Sequence, residues 1–248
     1  QYLINDVRQF FWGRSRHTES IHFREIVAID CTVIQVGNFF CFLSFRRNPC
    51  YAQEGNAALP LPQNPEFMNQ HPLYALAENW PADLLIDYIL KIHHRGIRDN
   101  GPGILARFRR AVEARPADRE LAEACALFEE SLIDLDMHLM KEENVLFPFV
   151  LELFEADREN LQLEQMHCGS VANPIHVMED DHEGEVQRYA RIAQLTHDFA
   201  VSADDDTDYR ELMGEVSAFM NALHEHIYLE NEILFPLAVR LEDRRVRF

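Results

Sequence analysis

Beyond residue 80, apolar residues recur at three- and four-residue spacing, the pattern of helices that bury one face. Leu85, Ile86, Ile89 and Leu90 form a stripe that leads to His93 and His94, and the stripe opens near Trp80-Pro81, where Pro suits a first helical position. Gly101-Pro102-Gly103 predicts a break or kink, after which Ile104 to Val112 resumes in register. A second helix is expected from about Pro116, with Leu121, Ala124, Leu127, Phe128, Leu135, His138, Glu142, Val145, Leu146 and Phe149 on one broad face. A loop from about 157 to 172 precedes Asn173-Pro174, a capping residue followed by Pro, which opens a third helix. That helix carries Glu179, Asp180, Asp181 and His182 and is expected to reach about Ala200. Residues 202–208 read as an acidic loop and cap. The fourth helix places Leu212, Val216, Phe219, Leu223, His226 and Glu230 on one face and ends near Arg240. Four amphipathic helices with short to medium loops predict an all-α, antiparallel up-down four-helix bundle over residues 68–248.

Residues 1–67 differ. An apolar run from Val27 to Phe45 is interrupted by Asp30, Gln35 and Asn38, so it falls short of the ~20 apolar residues of a membrane helix. Arg46 and Arg47 follow that run, whereas a signal peptide carries its positive charge first. Two buried strands are the simpler reading. Residues 53–66, rich in Pro and small or amide side chains, read as a linker. The first methionine is Met68, and the stretch before it reads as an irregular extension foreign to the bundle.

Polar residues inside the apolar stripes change the picture. HLMKEENVLFP, from His138 to Pro148, returns as HIYLENEILFP from His226 to Pro236. A His and a Glu four positions apart lie one turn apart on one helix face, so both can reach a common point. An ordinary exposed His-Glu pair is the plain alternative for one copy, but these pairs sit in core stripes, where unpaired charge is costly. His94, His138, His182 and His226 are spaced 44 residues apart, which puts one histidine per helix at one height of an up-down bundle. With Glu142 and Glu230 they make an N/O donor set without thiolate. Structural zinc takes four ligands, often including Cys; six donors with two carboxylates fit a pair of iron or manganese ions better. By periodicity alone His93 competes with His94. A ferritin-like site would need Glu-x-x-His on two facing helices. Glu164-x-x-His167 and Glu179-x-x-His182 have that spacing, but their histidines are only fifteen residues apart and the first lies in a loop. His197 and His224 read as ordinary structural histidines.

Composition narrows the function. At 47% hydrophobic and 26% charged the chain is of ordinary soluble, globular type. A net charge of -19 argues against nucleic-acid binding and suits a cation binder. Five cysteines without CxxC spacing argue against a zinc ribbon or a disulfide framework and leave a reducing cytoplasm as the default.

The two His-x3-Glu motifs with their LFP tails resemble the hemerythrin-like domain. More closely, residues 81–240 resemble the repair-of-iron-centres family, the YtfE/ScdA group. DYILKIHH with Pro eight residues beyond its second His matches the family's first motif and selects His94. HLMKEENVLFP assigns His138 and Glu142, PIHVMEDDH assigns His182, and HIYLENEILFP assigns His226 and Glu230. The resemblance implies two iron ions bridged by Glu142 and Glu230. It also implies repair of iron-sulfur clusters after nitrosative or oxidative stress, by iron donation or nitric oxide processing. Damaged iron-sulfur proteins and nitric oxide or oxygen are the implied partners, with no membrane and a monomeric or homodimeric chain. Asp134 and Asp181 are candidates for orienting ligands or relaying protons, or are ordinary solvated acids. Family members often carry an adjacent Cys-Cys before Gly-Gly; Cys31, Cys41 and Cys50 do not reproduce it. A hemerythrin-like oxygen or nitric oxide carrier or sensor without turnover is the alternative.

Overall fold

The computed structural model describes residues 33–36, 39–42, 72–166 and 169–246. The chain divides into two compact units, residues 1–53 and 54–248. In the first, β1 (Val33–Val36) pairs antiparallel with β2 (Phe39–Phe42), with Val33 opposite Phe42. The linker reading of residues 53–66, His167, and the cysteines at 31, 50 and 168 lie outside the described residues.

The second unit is the helical bundle. After α1 (Pro72–Ala77), the first long helix comprises α2 (Ala82–Tyr88), a π-helical segment Ile89–His94 and α3 (Arg95–Ala114). The second comprises α4 (Arg119–Lys141), a π segment Glu142–Leu146 and α5 (Phe147–Glu159). The third is α6 (Ala172–Leu195). The fourth comprises α7 (Thr207–Tyr228), a π segment Leu229–Leu234 and α8 (Phe235–Arg245). Helix α3 packs on α4 and α7, and α6 packs on α4 and more lightly on α7, closing the four-helix ring. Asp118 caps α4 by accepting from the Leu121 N–H, and Asp206 caps α7 by accepting from the Tyr209 N–H.

Two expectations are corrected. The first helix runs unbroken through Gly101-Pro102-Gly103. Ile97, Ile104 and Phe108 are buried on both sides of Pro102, and that packing offsets the ~3 kcal/mol an interior Pro costs. Gly101 suits the close approach of α4, since a Cβ there would meet Leu132 Cδ2 at 2.6 Å. The third helix stops at Leu195, short of Ala200. His197, Asp198 and Phe199 turn left-handed, with φ of 52°, 58° and 59°.

Among the described residues, buried apolar side chains segregate into two clusters. One holds Ile89, Leu146, Phe147, Leu153, Leu234 and Phe235 at the end built by α2, α5 and α8. The other holds Phe108, Phe128, Leu135, Tyr189, Phe219 and Leu223 along α3, α4, α6 and α7. His138, Glu142, His226 and Glu230 of the two repeats lie between them along the helices, buried from water. Among the described residues no helix is long and apolar enough to cross a membrane.

Candidate metal centre

Ligand atoms of His138, Glu142, His182, His226 and Glu230 lie within 4.8 Å of one another, and all five residues are buried. His94 Nε2 stands 3.4 Å from Glu142 Oε2, so the sixth sequence-predicted residue reaches the same space. His138 Nε2 lies 3.2 Å from Glu142 Oε1, and His182 and His226 Nε2 lie 3.3 and 3.5 Å from Glu230 Oε2. The cluster is thus two half-sites, each a carboxylate served by its own helix's histidine and by one from the preceding helix.

Three of the histidines are anchored from behind. His94 Nδ1–H donates to Glu143 Oε1 at 2.8 Å, and Arg98 holds that carboxylate through two guanidinium contacts of 2.6 and 3.2 Å. His182 Nδ1–H donates to Asn231 Oδ1 at 2.8 Å, and His138 Nδ1–H to Asp181 Oδ2 at 3.2 Å. Lys141 holds Asp181 in turn. An Nδ1–H committed outward leaves the Nε2 lone pair facing the cluster, the tautomer that a metal requires.

Glu143 and Asn231 escaped the sequence reading, although the repeat held their signal. Each follows its motif's Glu by one position and reaches the histidine 49 residues away on the preceding helix. The Phe of each LFP tail obeys the same rule, with Phe147 stacked on His94 at 5.6 Å and Phe235 on His182 at 6.1 Å between ring centroids. The Pro is explained by the π turns. The N–H of Phe147 bonds the Glu142 carbonyl, and that of Phe235 the Glu230 carbonyl, both five residues back. Pro148 and Pro236 follow directly, where the widened turn tolerates a residue without an N–H.

Asp181 sits at the cluster's edge. Asp134, one turn before His138, bonds Arg188 Nη2 at 2.6 Å and is half exposed. Its orienting role is therefore not supported, because the nearby guanidinium takes the carboxylate. Arg188 also holds Glu185, which accepts from Ser131 Oγ at 2.6 Å and is pushed up to about 7, chiefly by burial. His93 lies beside the cluster but faces a different groove, and burial pushes it down to about 4.

The donor set fits a cation. Both oxygens of Glu142 and of Glu230, Nε2 of His94 and both ring nitrogens of His226 are buried without a hydrogen-bond partner. His138 and His182 bring their Nε2 atoms to 3.0 Å, lone pair against lone pair unless a proton or metal intervenes. Burial alone would push Glu142 up, but His138 and His94 outweigh it and hold the carboxyl well below its usual range. Burial and the neighbouring Glu142 push Glu230 well above that range. Burial pulls His138 down, yet Glu142 and Asp181 lift it to about 9, while burial and the charge of His138 take His182 to about 4. Two carboxylates in one dry space cannot both ionise without added positive charge.

Asn231→Leu is expected to weaken metal affinity about 10- to 100-fold by freeing the His182 ring, and Asp134→Ala to leave it unchanged. Equilibrium dialysis of the two variants against Fe(II) checks both.

The Hemerythrin HHE cation binding domain family model matches residues 85–238. The iron-sulfur cluster repair protein YtfE of Musicola paradisiaca is 32% identical over 171 residues, covering 66% of this chain and 70% of that protein. Its namesake from Yersinia pseudotuberculosis serotype O:1b is 31% identical over 176 residues, covering 67% and 71%. With the HHE match spanning all four motif helices, the chain belongs to the hemerythrin HHE cation-binding family, on the side of it that includes the iron-sulfur cluster repair proteins.

Proposed function

We propose that this protein holds two iron ions and uses them to repair iron-sulfur clusters damaged by nitrosative or oxidative stress. One observation carries the reading: six buried side chains turn electron-pair donors into one dry space in two matching half-sites. Imidazole and carboxylate donors without thiolate suit iron, and Glu142 and Glu230 would supply the carboxylate ligands of the pair. A pair of irons supplies one-electron chemistry and an open position for a small ligand such as nitric oxide. The chain's own part is to orient the imidazoles through Glu143, Asn231 and Asp181 and to keep bulk water out with the flanking apolar clusters. The names of the relatives support repair over carriage.

The test is recovery of a nitrosylated iron-sulfur enzyme. The reduced, iron-loaded chain is expected to react with nitric oxide and restore that enzyme, and His138→Ala to abolish both. A stable, reversible oxygenated form, with no reaction with nitric oxide and no recovery, would make the protein a carrier or sensor instead. Reaction with nitric oxide without recovery would overturn repair by residues 1–248 alone.

A further inference from the structure

A groove of about 540 Å³ lies between the first long helix and α7, lined in part by Tyr88, His93, Asn100 and Glu225. Its inner wall is His93, whose side chain is 3% exposed. That ring is buried, and its Nε2 has no hydrogen-bond partner. With the ring proton on Nδ1, Nε2 is a lone pair. Nε2 lies 3.7 Å from Glu225 Oε1, an oxygen that also accepts from Tyr88 OH at 3.3 Å. Two electron-pair donors thus face each other with no donor between them. Two bonds of about 2.1 Å to a shared transition-metal ion span that gap comfortably, and the groove has room for water to complete the shell.

We propose that His93 Nε2 and Glu225 form a separate, weaker site for a divalent first-row transition-metal ion, through which iron enters and leaves the buried centre. The inference rests on the iron-holding role of that centre. An imidazole-carboxylate pair suits Fe(II) over Mg(II) or Ca(II), which take oxygen shells. Two protein ligands with water completing the shell give exchangeable binding, as transit demands. The next stop is close. The His93 ring lies 5.9 Å from that of His226, which lies 5.3 Å from that of His94. His226 also has no partner at Nδ1, so the histidine on the groove side lacks the outward anchor of the other three.

Full-length protein is titrated anaerobically with Fe(II), and bound ions are counted by equilibrium dialysis with radioactive iron. Transfer of bound Fe(II) to a chromogenic chelator is then timed. The parent is expected to take up one ion more weakly than the central ones. His93→Phe, which keeps the ring and removes the ligand atom, and Glu225→Gln should each weaken that ion at least about tenfold. Both should keep the tight iron yet release it several-fold more slowly. An unchanged weak ion and unchanged release rates in both variants would overturn the proposal. Should His93→Phe fail to fold, Glu225→Gln decides, since its partly exposed side chain leaves the core intact. A parent without tight iron would instead overturn the reading of the central site.

Discussion

Glu230→Gln is expected to bind less than about a hundredth as tightly at the central site, yet to leave the metal-free protein no less stable than the parent. The opposite directions come from one cause. On the proposed reading the Glu230 carboxylate would be a ligand once metal is bound; without metal it is a buried acid beside Glu142. Its folded-state pKa stands above the ordinary carboxylate value of 4.5, so the proton it holds stabilises the fold fully below that value. The contribution is lost as pH rises through the folded pKa. An amide cannot ionise and escapes that loss. The metal-free variant should therefore exceed the metal-free parent by an amount that grows with pH, reaching about 1–4 kcal/mol. Metal affinity of the parent should move the other way and strengthen with pH, because protons compete for the same atoms. Denaturant unfolding of both chelated proteins across pH, beside Fe(II) dialysis, measures each half. Equal unfolding midpoints at every pH would show that Glu230 is not the strained group.

His94→Ala and His93→Phe, one residue apart, should behave in opposite ways. His94 Nε2 faces Glu142, and its Nδ1 is held by Glu143, so truncation removes an oriented donor and leaves Glu143 and Arg98 without their purpose. Loaded parent protein should melt higher than chelated protein by about 4 kcal/mol per ion at a thousandfold excess over Kd, a rise of roughly 8–16 °C for each ion. His94→Ala should lose most of that rise, and His93→Phe should keep it. A loss in His93→Phe equal to that in His94→Ala would mean that the first helix presents the other histidine to the centre.

Much of this was legible in the sequence. The bundle followed from stripes such as Leu121 to Phe149, because a 3.6-residue period fixes which face is buried. Four of the six clustered donors followed from the repeated His-x3-Glu, for the same geometric reason, and His182 and His94 from the 44-residue spacing and the family motifs, since between His93 and His94 periodicity alone could not choose. What stayed hidden breaks that period or depends on contacts between helices. The π turns insert an extra residue's worth of rotation, which simple helical spacing does not register; Pro148 and Pro236 were their only trace. Glu143 and Asn231 act on histidines of the preceding helix, so no local pattern marks them, although comparing the two repeats does. Asp134 shared the spacing of a ligand neighbour but lost its place to Arg188, a partner 54 residues away that no local rule anticipates. Pro102 looked like a helix breaker because the packing of Ile97, Ile104 and Phe108 is a tertiary fact.

Iron content after anaerobic loading tests the central site most directly. Full-length protein, loaded with Fe(II) and desalted, is expected to hold about two irons per chain, falling to well under one in a Glu142→Ala, Glu230→Ala double variant. A reproducible single zinc per chain after the same loading, or iron retention unchanged by the double substitution, would contradict a di-iron centre built from these six side chains.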